Sequence, residues 1–414
     1  MKYAVVTFGC RVNQADSLAY EAELTARGGE AVPAERADLV VVNTCSVTAS
    51  ADQGARQAIR RIARGNPAAR IVATGCFATR APGDVASLPG IAAVVPNGRK
   101  SPASVLEAAG MAAAHGAPAP LWTDGPCGRP PGPGLMGRTA WTLRVQTGCE
   151  EHCSYCVIPS TRGASRSRPP ADVLAEVGAI IEAGYREVAI TGVHLGAYGR
   201  DLAPASSLHA LLAALASLPA SSAPLFRVSS LEPMDCTPAV VDVVAAAPFA
   251  PHLHLPLQHA SDRMLARMGR PYSLEQYAAL VDRVRARMPH AAIGTDVIVG
   301  FPGETDEDAE RLATYLEASP ITHVHVFPYS DRPGTAASAM GGRPHGAVVK
   351  ARAARLREIS RTLQARFRAA QAGSSRRALV IDDGRAAVTD NYLRVPLREP
   401  GRRGDVIDLV IPAA

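Results

Sequence analysis

Apolar segments alternate with helical segments over the first hundred residues, and three of the apolar segments end in a cysteine. The segments VVTFGC, VVVNTC and IVATGC place Cys10, Cys45 and Cys76 at the ends of three predicted strands. Between them lie helical patterns such as SLAYEAELTARGG and ADQGARQAIRRIARGN, the second with a candidate N-cap at Ser50. This alternation predicts a parallel sheet with helices on its faces.

The same pattern predicts that the three cysteines meet in space. The carboxyl ends of parallel strands lie at one edge of a sheet, where α/β folds bind ligands. We therefore expect Cys10, Cys45 and Cys76 to form a set of metal ligands. The alternative is three buried structural cysteines, because free cysteine is among the residue types most often buried.

The amino-acid composition limits the classes of protein to which this chain can belong. Hydrophobic residues make up 47% of the 414-residue chain and charged residues 20%, which indicates a globular protein of two or three domains. The net charge of +6 is compatible with a nucleic-acid partner but does not require one. We find no signal peptide and no apolar run of about 20 residues, so we expect a cytoplasmic protein without membrane contact. In that compartment its eight cysteines favour ligand or catalytic roles over disulfides.

The chain divides into four predicted segments. Residues 1–111 form the first α/β domain, and residues 112–137, rich in Ala, Pro and Gly, form a linker. Residues 138–372 contain six strand candidates that alternate with helices, which predicts a partial (β/α) barrel; the candidates are TLRVQ, EVAITGV, LFRVSSL, HLHLPL, AIGTDVIVG and HVHVFPY. Short β-like runs in residues 373–414 predict a small all-β module. The predicted fold class is therefore mixed α/β.

A second set of three cysteines lies in one loop, TGCEEHCSYC. Cys149, Cys153 and Cys156 have C-x3-C-x2-C spacing and follow the first strand of the second domain. A four-iron cluster usually takes four thiolates. Three thiolates would leave one iron open to a substrate or cosubstrate, as the open position does on a catalytic zinc. The alternative is a zinc site with His152 as the fourth ligand.

This loop, with Tyr155 just before its last cysteine, resembles the radical S-adenosylmethionine superfamily. In that superfamily the open iron binds S-adenosylmethionine, whose reductive cleavage yields a 5′-deoxyadenosyl radical. With the three N-terminal cysteines, further segments between residue 3 and about residue 370 resemble the methylthiotransferases; they are TGVHLGAYG, RVSSLEP, HLHLPLQHASD, MLARMGRPYS, TDVIVGFPGET and VFPYSDRPGTAAS.

The resemblance implies two [4Fe-4S] clusters and two molecules of S-adenosylmethionine per product, one as methyl donor and one as radical source. The radical-generating cluster would be held by the catalytic cysteines Cys149, Cys153 and Cys156. An auxiliary cluster, which carries or accepts the sulfur, would be held by Cys10, Cys45 and Cys76. The radical would take hydrogen from an unactivated adenine carbon, which acid–base chemistry does not achieve.

Three further residues are implied to contact S-adenosylmethionine. Tyr155 would lie against its adenine, and Gly192 would let the backbone approach the ligand closely. Glu232 would contact the ribose or the amino group. For Glu232 the alternative is a helix cap, since carboxylates are common at that position.

The segment TFGCRVNQADS resembles the branch of the family that acts on threonylcarbamoyladenosine in tRNA. That branch implies methylthiolation of C2 of N6-threonylcarbamoyladenosine at position 37, beside the anticodon. The alternatives are the branches acting on isopentenyladenosine in tRNA or on an aspartate of a ribosomal protein. A non-catalytic iron–sulfur protein that binds RNA or transfers electrons is an alternative from another class.

The resemblance also implies partners. They are the anticodon stem-loop of tRNA, an electron donor of the flavodoxin or ferredoxin type, and a sulfur source that the resemblance does not specify. The C-terminal module resembles a TRAM domain, a small RNA-binding β-barrel. Its seven arginines against six acidic residues make it barely basic. Residues of this module suited to phosphate contact and base stacking are Tyr392, Arg394, Arg398, Arg402 and Arg403.

Other polar residues have two possible roles each. The basic loop TRGASRSR predicts RNA contact through Arg162, Arg166 and Arg168; the alternative is a solvated surface loop. Gly300, Pro302 and Glu304 form either a ligand contact or a plain turn.

Two histidine pairs and two cysteines complete the candidates. His252 and His254 alternate along one strand, as His323 and His325 do along another, so each pair faces one side. Either pair would line the barrel interior or be hydrogen-bonded in the core. Cys127 and Cys236 receive no predicted role.

Overall fold

The computed structural model describes residues 1–110, 133 and 139–413. Contacts divide the described residues into two units. Unit 1 holds residues 1–110, 142–151 and 156–168, and unit 2 holds residues 133, 139–141, 152–155 and 169–413. Apart from residue 133, the predicted linker 112–137 and its Cys127 lie outside the described residues. The division into four predicted segments therefore stays a prediction.

Unit 1 is built on a five-stranded parallel sheet with strand order β2-β1-β3-β4-β5. Its strands are β1 Lys2–Thr7, β2 Glu30–Ala31, β3 Leu39–Thr44, β4 Arg70–Gly75 and β5 Ile91–Val95. All six residues of β3 are buried, as expected for a parallel strand covered by helices on both faces. Apolar clusters on the two faces contain Tyr20 and Leu24 of one helix and Ile59 and Ile62 of another. The predicted parallel sheet is confirmed.

The helices of unit 1 follow the predicted alternation, with one correction. They are α1 Arg11–Ala26, α2 Ala49–Gly65, α3 Cys76–Arg80, α4 Pro82–Ala86, α5 Pro102–Ala108 and α6 Ile158–Arg162. The predicted N-cap Ser50 is wrong: Thr48 caps α2, because its hydroxyl oxygen accepts from the Ala51 N–H at 3.2 Å. The strand β6 Trp141–Arg144 is followed by β7 Gln146–Thr147, which pairs antiparallel with β8 Arg166–Ser167.

Unit 2 contains the remaining strand–helix alternation. Its parallel strands are β9 Glu187–Thr191, β10 Leu225–Val228, β11 His252–His254, β12 Ala292–Val299 and β13 His323–Pro328. β9 pairs with β10, and β12 lies between β11 and β13. Its helices are α7 Pro170–Glu182, α8 Leu208–Ala216, α9 Pro238–Val244, α10 Asp262–Arg267, α11 Leu274–Arg287, α12 Asp306–Ala318 and α13 Gly346–Gln371. Each of the six strand candidates forms a strand.

The C-terminal residues form a separate antiparallel sheet in the order β16-β15-β14-β17. Its strands are β14 Ser375–Ile381, β15 Ala386–Thr389, β16 Arg394–Pro396 and β17 Val406–Val410. The mixed α/β class with a small all-β C-terminal part is confirmed, while the likeness to a TRAM domain stays a prediction. Among the described helices, none has both the length and the apolar character needed to cross a membrane.

Candidate functional site

The three N-terminal cysteines lie at one edge of the parallel sheet. Cys10 follows β1 and caps α1, Cys45 follows β3, and Cys76 begins α3 directly after β4. Because β1, β3 and β4 are neighbours, the fold brings together three thiols that are distant in sequence. The pKa of Cys45 is raised to about 11, mainly by burial and also by the neighbouring thiols Cys10 and Cys76, against the opposing effects of a backbone hydrogen bond and Arg162.

A glycine with a left-handed backbone precedes two of these cysteines. Gly9 has φ +91°, and a Cβ on it would lie 2.5 Å from the Cys45 sulfur. Gly75 has φ +93°, and a Cβ on it would collide with the Thr44 carbonyl oxygen. A side chain is excluded at both positions by conformation and by space. The two Gly-Cys pairs therefore let neighbouring strand ends approach closely.

A fully buried carboxylate lies behind this edge. Asp16 of α1 bonds the Lys100 ammonium at 2.5 Å, and its other oxygen accepts from Arg144. Arg162 of α6 also donates to Asp16, at 3.3 Å. Burial alone would raise the pKa of Asp16, but these three cations hold it well below its usual range. Loss of the carboxylate would leave the three cations buried without this negative partner.

Arg162 links this carboxylate to the cysteines. Its guanidinium donates to the Asn13 side-chain oxygen at 2.5 Å. Burial would lower its pKa, but the charges of Cys76, Asp16 and Cys10 more than offset this effect, so the pKa of Arg162 is raised. This permanent buried cation places positive charge beside the thiols, and the thiolate is the form of cysteine that binds metals.

Asn97 completes the surroundings of Cys76. Its amide donates to the Cys76 sulfur at 3.6 Å and to the Thr161 carbonyl at 2.9 Å. Hydrogen bonds to sulfur are one of the means by which proteins tune iron–sulfur clusters. Three convergent thiols, an N–H donor to sulfur and a buried guanidinium therefore fit a cluster that takes three thiolates.

The sulfur atoms of the second set each receive an N–H within their own unit. The backbone N–H groups of Glu151 and Ile158 donate to Cys149 and Cys156, at 3.4 and 3.5 Å. Gly148, with φ +76°, precedes Cys149, and a Cβ on it would collide with the Ala164 carbonyl. The loop thus repeats the Gly-Cys arrangement of the N-terminal set.

Cys153 has a side-chain donor. Arg270 donates from Nη1 to the Cys153 sulfur at 3.2 Å and from Nη2 to Glu232. The arginine is buried; burial would lower its pKa, but Glu232 and weaker neighbours more than offset this, so the pKa of Arg270 is raised. The helix-cap interpretation of Glu232 is wrong, because its side chain makes no capping bond and pairs with Arg270 instead.

The two other predicted contacts to S-adenosylmethionine lie in unit 2. Tyr155 is half-buried and meets Phe301 edge-on, with ring centroids 6.4 Å apart. Gly192 follows β9, and its φ is not positive. In the same segment, a Cβ on Gly196 would collide with the Asp235 carboxylate. Roles for Tyr155, Gly192 and Glu232 in cofactor binding stay predictions.

The prediction of RNA contact through the basic loop is wrong for two of its three arginines. Arg162 and Arg168 are both buried. The guanidinium of Arg162 is engaged by Asp16 and Asn13, and that of Arg168 donates to the Arg144 carbonyl at 3.2 Å. Arg166 is exposed, so its contact with RNA stays a prediction.

The turn after β12 is a hydrogen-bonded turn. Glu304 is buried, accepts from the Gly300 N–H at 2.6 Å and pairs with Arg352 at 2.7 Å. Its other oxygen lies 3.3 Å from the His259 ring. The structure therefore favours the plain-turn interpretation for Gly300, Pro302 and Glu304. Cys236 is buried.

The arginines of the C-terminal module fall into two groups. Arg402 and Arg403 line a groove with Arg186 and Arg377. Arg394 instead pairs with Asp382 at 2.7 Å. Tyr392 packs against His252, with ring centroids 4.5 Å apart, so its ring already has a partner within unit 2.

Several residues of the site were missed by the sequence analysis. They are Asp16, Asn97, Lys100, Arg144 and Arg270. A signal was available for the first: Asn13, Asp16, Ser17 and Tyr20 recur at helical spacing, and α1 buries all four. Polar residues on the buried face of a helix indicate a functional or ion-paired cluster.

Two family models match the chain. Residues 143–316 match the Radical SAM superfamily, and residues 2–96 match the Uncharacterized protein family UPF0004. The two matches together cover both sets of cysteines. The first favours an iron–sulfur cluster over the zinc interpretation of the loop.

Named relatives align over most of the chain. The "Threonylcarbamoyladenosine tRNA methylthiotransferase MtaB" of Aquifex aeolicus is 35% identical, over 95% of this chain and 96% of its own. A "tRNA-2-methylthio-N(6)-dimethylallyladenosine synthase" of Frankia alni is 36% identical, over 86% of this chain and 72% of its own. Similarity at this level and coverage shows the family.

Among solved structures, the fold resembles that of the radical S-adenosylmethionine methyltransferase TsrM from Kitasatospora setae with cobalamin and a [4Fe-4S] cluster bound. The TM-score is 0.56 at 18% identity, covering 81% of this chain and 76% of that one. At this identity the likeness concerns the fold alone.

Proposed function

Because the chain belongs to the radical S-adenosylmethionine methylthiotransferase family, we propose that it methylthiolates C2 of N6-threonylcarbamoyladenosine at position 37 of tRNA, beside the anticodon. The observation that supports this substrate is the similarity to the Aquifex aeolicus enzyme over nearly the whole of both chains. The enzyme class itself does not depend on the choice of substrate.

As a member of this family, the enzyme uses [4Fe-4S] clusters and S-adenosylmethionine. When bound, these groups supply a carbon-centred radical, the sulfur and the methyl group. We propose Cys149, Cys153 and Cys156 as ligands of the radical-generating cluster. The ligands proposed for the auxiliary cluster are Cys10, Cys45 and Cys76.

In this proposal a buried arginine supports each set of cysteines. Arg270 donates to the Cys153 sulfur while Glu232 holds its other nitrogen. Arg162 lies beside Cys76 and is held by Asn13 and Asp16. Both arginines keep positive charge next to ligands that must be deprotonated.

The proposed macromolecular partner is the anticodon stem-loop of tRNA. The groove lined by Arg186, Arg377, Arg402 and Arg403 supports it, because clustered guanidinium groups bind phosphate. Because tRNA is the proposed substrate, we also propose a cytoplasmic location. The proposed electron donor is a protein of the flavodoxin or ferredoxin type.

Mass spectrometry of nucleosides from total tRNA tests the proposal. Cells lacking the gene should lose methylthio-threonylcarbamoyladenosine, and a plasmid carrying the wild-type gene should restore it. Plasmids encoding Cys45→Ala or Cys149→Ala should fail to restore it. The matched control is Cys236→Ala, which removes a buried thiol outside both sets and should restore the nucleoside.

A second candidate substrate is isopentenyladenosine in tRNA. It is favoured by the 36% identity to the Frankia alni enzyme, whose name specifies the dimethylallyl nucleoside. The same measurement distinguishes the two. Loss of the methylthio-isopentenyl nucleoside with the threonylcarbamoyl form unchanged would overturn the proposed substrate and keep the enzyme class.

A further inference from the structure

Four histidines and one aspartate gather on one face of the sheet formed by β11, β12 and β13. His254 of β11 and His323 of β13 both pair with Gly294 of the central strand, and Asp296 pairs with His325. The His254 and His325 rings stack with centroids 5.2 Å apart. Neither set of cysteines includes any of these residues.

The central strand makes room for the rings. A Cβ on Gly294 would collide with His323 Nε2 and would lie 2.8 Å from His254 Nδ1. The two imidazoles therefore occupy the space that a side chain at position 294 would fill. Any other residue there would push them apart.

The Asp296 carboxylate contacts two of the imidazole rings. Its Oδ1 lies 2.9 Å from His254 Nε2 and 3.1 Å from His325 Nδ1. An N–H on each of these ring nitrogens can donate to this oxygen, and a metal ion can take the place of those protons. Burial would raise the pKa of Asp296, but its bonds to the two histidines lower it.

His323 lies against Thr322. The Thr322 hydroxyl accepts from the Ile293 N–H at 3.0 Å and lies 3.0 Å from the Ile293 carbonyl. The same hydroxyl oxygen lies 3.1 Å from His323 Nδ1. The other ring nitrogen, Nε2, lies above Gly294, beside His254. Burial first, and the neighbouring histidines second, lower the pKa of His323 to about 4.

We propose that His254, Asp296 and His325 form a binding site for a divalent transition-metal ion, separate from both iron–sulfur sites. One ligand atom from each lies within 4.8 Å of the others, and this is the one such group of three among the residues that the structure describes. The site is empty of any ion here.

The ligand set defines the class of metal. Two imidazoles and one carboxylate bind zinc or ferrous iron and leave coordination positions open. The open positions suit water or an oxygen donor of a bound ligand. The His254 carbonyl accepts from the N–H of Leu231, the residue that precedes Glu232, at 2.9 Å. His325 is exposed, which gives an ion a way in.

Zinc is the probe of choice, because it is counted separately from the iron of the clusters. The experiment uses the enzyme with both clusters assembled, so that its cluster cysteines are occupied. It is dialysed anaerobically against zinc, and its zinc and iron contents are then measured by mass spectrometry. We expect one zinc per chain, and at least about tenfold weaker binding in Asp296→Asn and His325→Gln. The matched control His209→Gln, on the exposed face of α8, should bind as the wild type does.

Three results would overturn the site. They are an absence of zinc binding by the wild type, equal binding by the two variants, and sulfur ligands in the zinc X-ray absorption spectrum. Circular dichroism checks that Asp296→Asn, which keeps the side-chain shape, is folded. No tRNA is present in this experiment, so its outcome is independent of the proposed substrate.

Discussion

The two sets of three cysteines are built in opposite ways. Cys10, Cys45 and Cys76 come from three strands and meet only because β1, β3 and β4 are neighbours in the sheet. The other three come from one loop of ten residues, TGCEEHCSYC. The first set therefore depends on the fold, and the second depends mainly on local sequence.

Despite this difference, the two sets share two features. A glycine with positive φ precedes a cysteine in each, at Gly9 and Gly75 in the first and at Gly148 in the second. A buried arginine accompanies each, Arg162 for the first and Arg270 for the second. Similar surroundings for thiolates therefore arise both when the cysteines come from one loop and when they come from separate strands. Variants of each set can show whether the two sets act separately.

The largest expected effect comes from removing one cysteine of either set. Cys45→Ala and Cys153→Ala should both abolish the methylthiolated nucleoside, because each cluster would lose one of three ligands. Cys45→Ala should still cleave S-adenosylmethionine, whereas Cys153→Ala should not. Chromatography with mass spectrometry measures 5′-deoxyadenosine and the modified nucleoside in one reaction. Loss of cleavage in a folded Cys45→Ala enzyme would contradict separate roles.

The two arginines offer a finer version of this test. Arg270→Gln removes the N–H donor to Cys153 and should lower cleavage of S-adenosylmethionine about ten- to a hundredfold. Arg162→Gln should lower product by a similar factor and leave cleavage unchanged. Cleavage that falls equally in both variants would show that the two sets are coupled.

The reduction potentials of the clusters give a second readout for the arginines. Losing a hydrogen bond and a positive charge beside sulfur makes a cluster harder to reduce. Electron paramagnetic resonance during redox titration should show a lower potential for the loop cluster in Arg270→Gln and an unchanged one in Arg162→Gln. A merely structural role would leave both potentials unchanged.

Asp16→Asn should selectively destabilise the region of the N-terminal set. The variant leaves Lys100, Arg144 and Arg162 buried without their carboxylate, which costs about 3–5 kcal/mol of unfolding free energy. Urea unfolding followed by circular dichroism measures this cost. The matched control is Asp84→Asn, an exposed partner of Arg56, which should change stability by less than about 1 kcal/mol. Equal effects would contradict the buried cluster.

The smallest effect concerns the glycine before Cys76. Gly75→Ala forces a side chain into a left-handed backbone and against Thr44, and should cost about 1–3 kcal/mol. Gly83→Ala in α4 is the control, because a Cβ there meets nothing within 4 Å. The control should be neutral or slightly stabilising in the same unfolding assay. A tolerated Gly75→Ala would show that the strand ends can separate.

Much of the fold and the cysteine sets could be predicted because their signals are local. Strand-length apolar runs ending in cysteine predict both the parallel sheet and the shared edge. The burial of Arg162 could not be predicted in this way, because its partner Asp16 lies 146 residues away and only the tertiary fold pairs them. A basic loop looks the same in sequence whether its charges meet phosphate or a buried carboxylate.

The position of a required glycine is also hard to predict from the local sequence. In TGVHLGAYG the sequence alone does not show that position 196 requires a glycine. It does so because Asp235, from a later turn, occupies the space that a Cβ on Gly196 would fill. A contact from another segment imposes this requirement.

The most direct test of two separate cluster sites is to count the iron in three purified proteins after anaerobic reconstitution. If the two cysteine sets hold separate [4Fe-4S] clusters, the wild type should contain about eight iron atoms per chain, and Cys45→Ala and Cys153→Ala about four each. Mössbauer spectra should assign the remaining iron to one intact cluster in each variant. About eight irons in a folded Cys45→Ala protein, or about four in the wild type, would contradict two separate cluster sites.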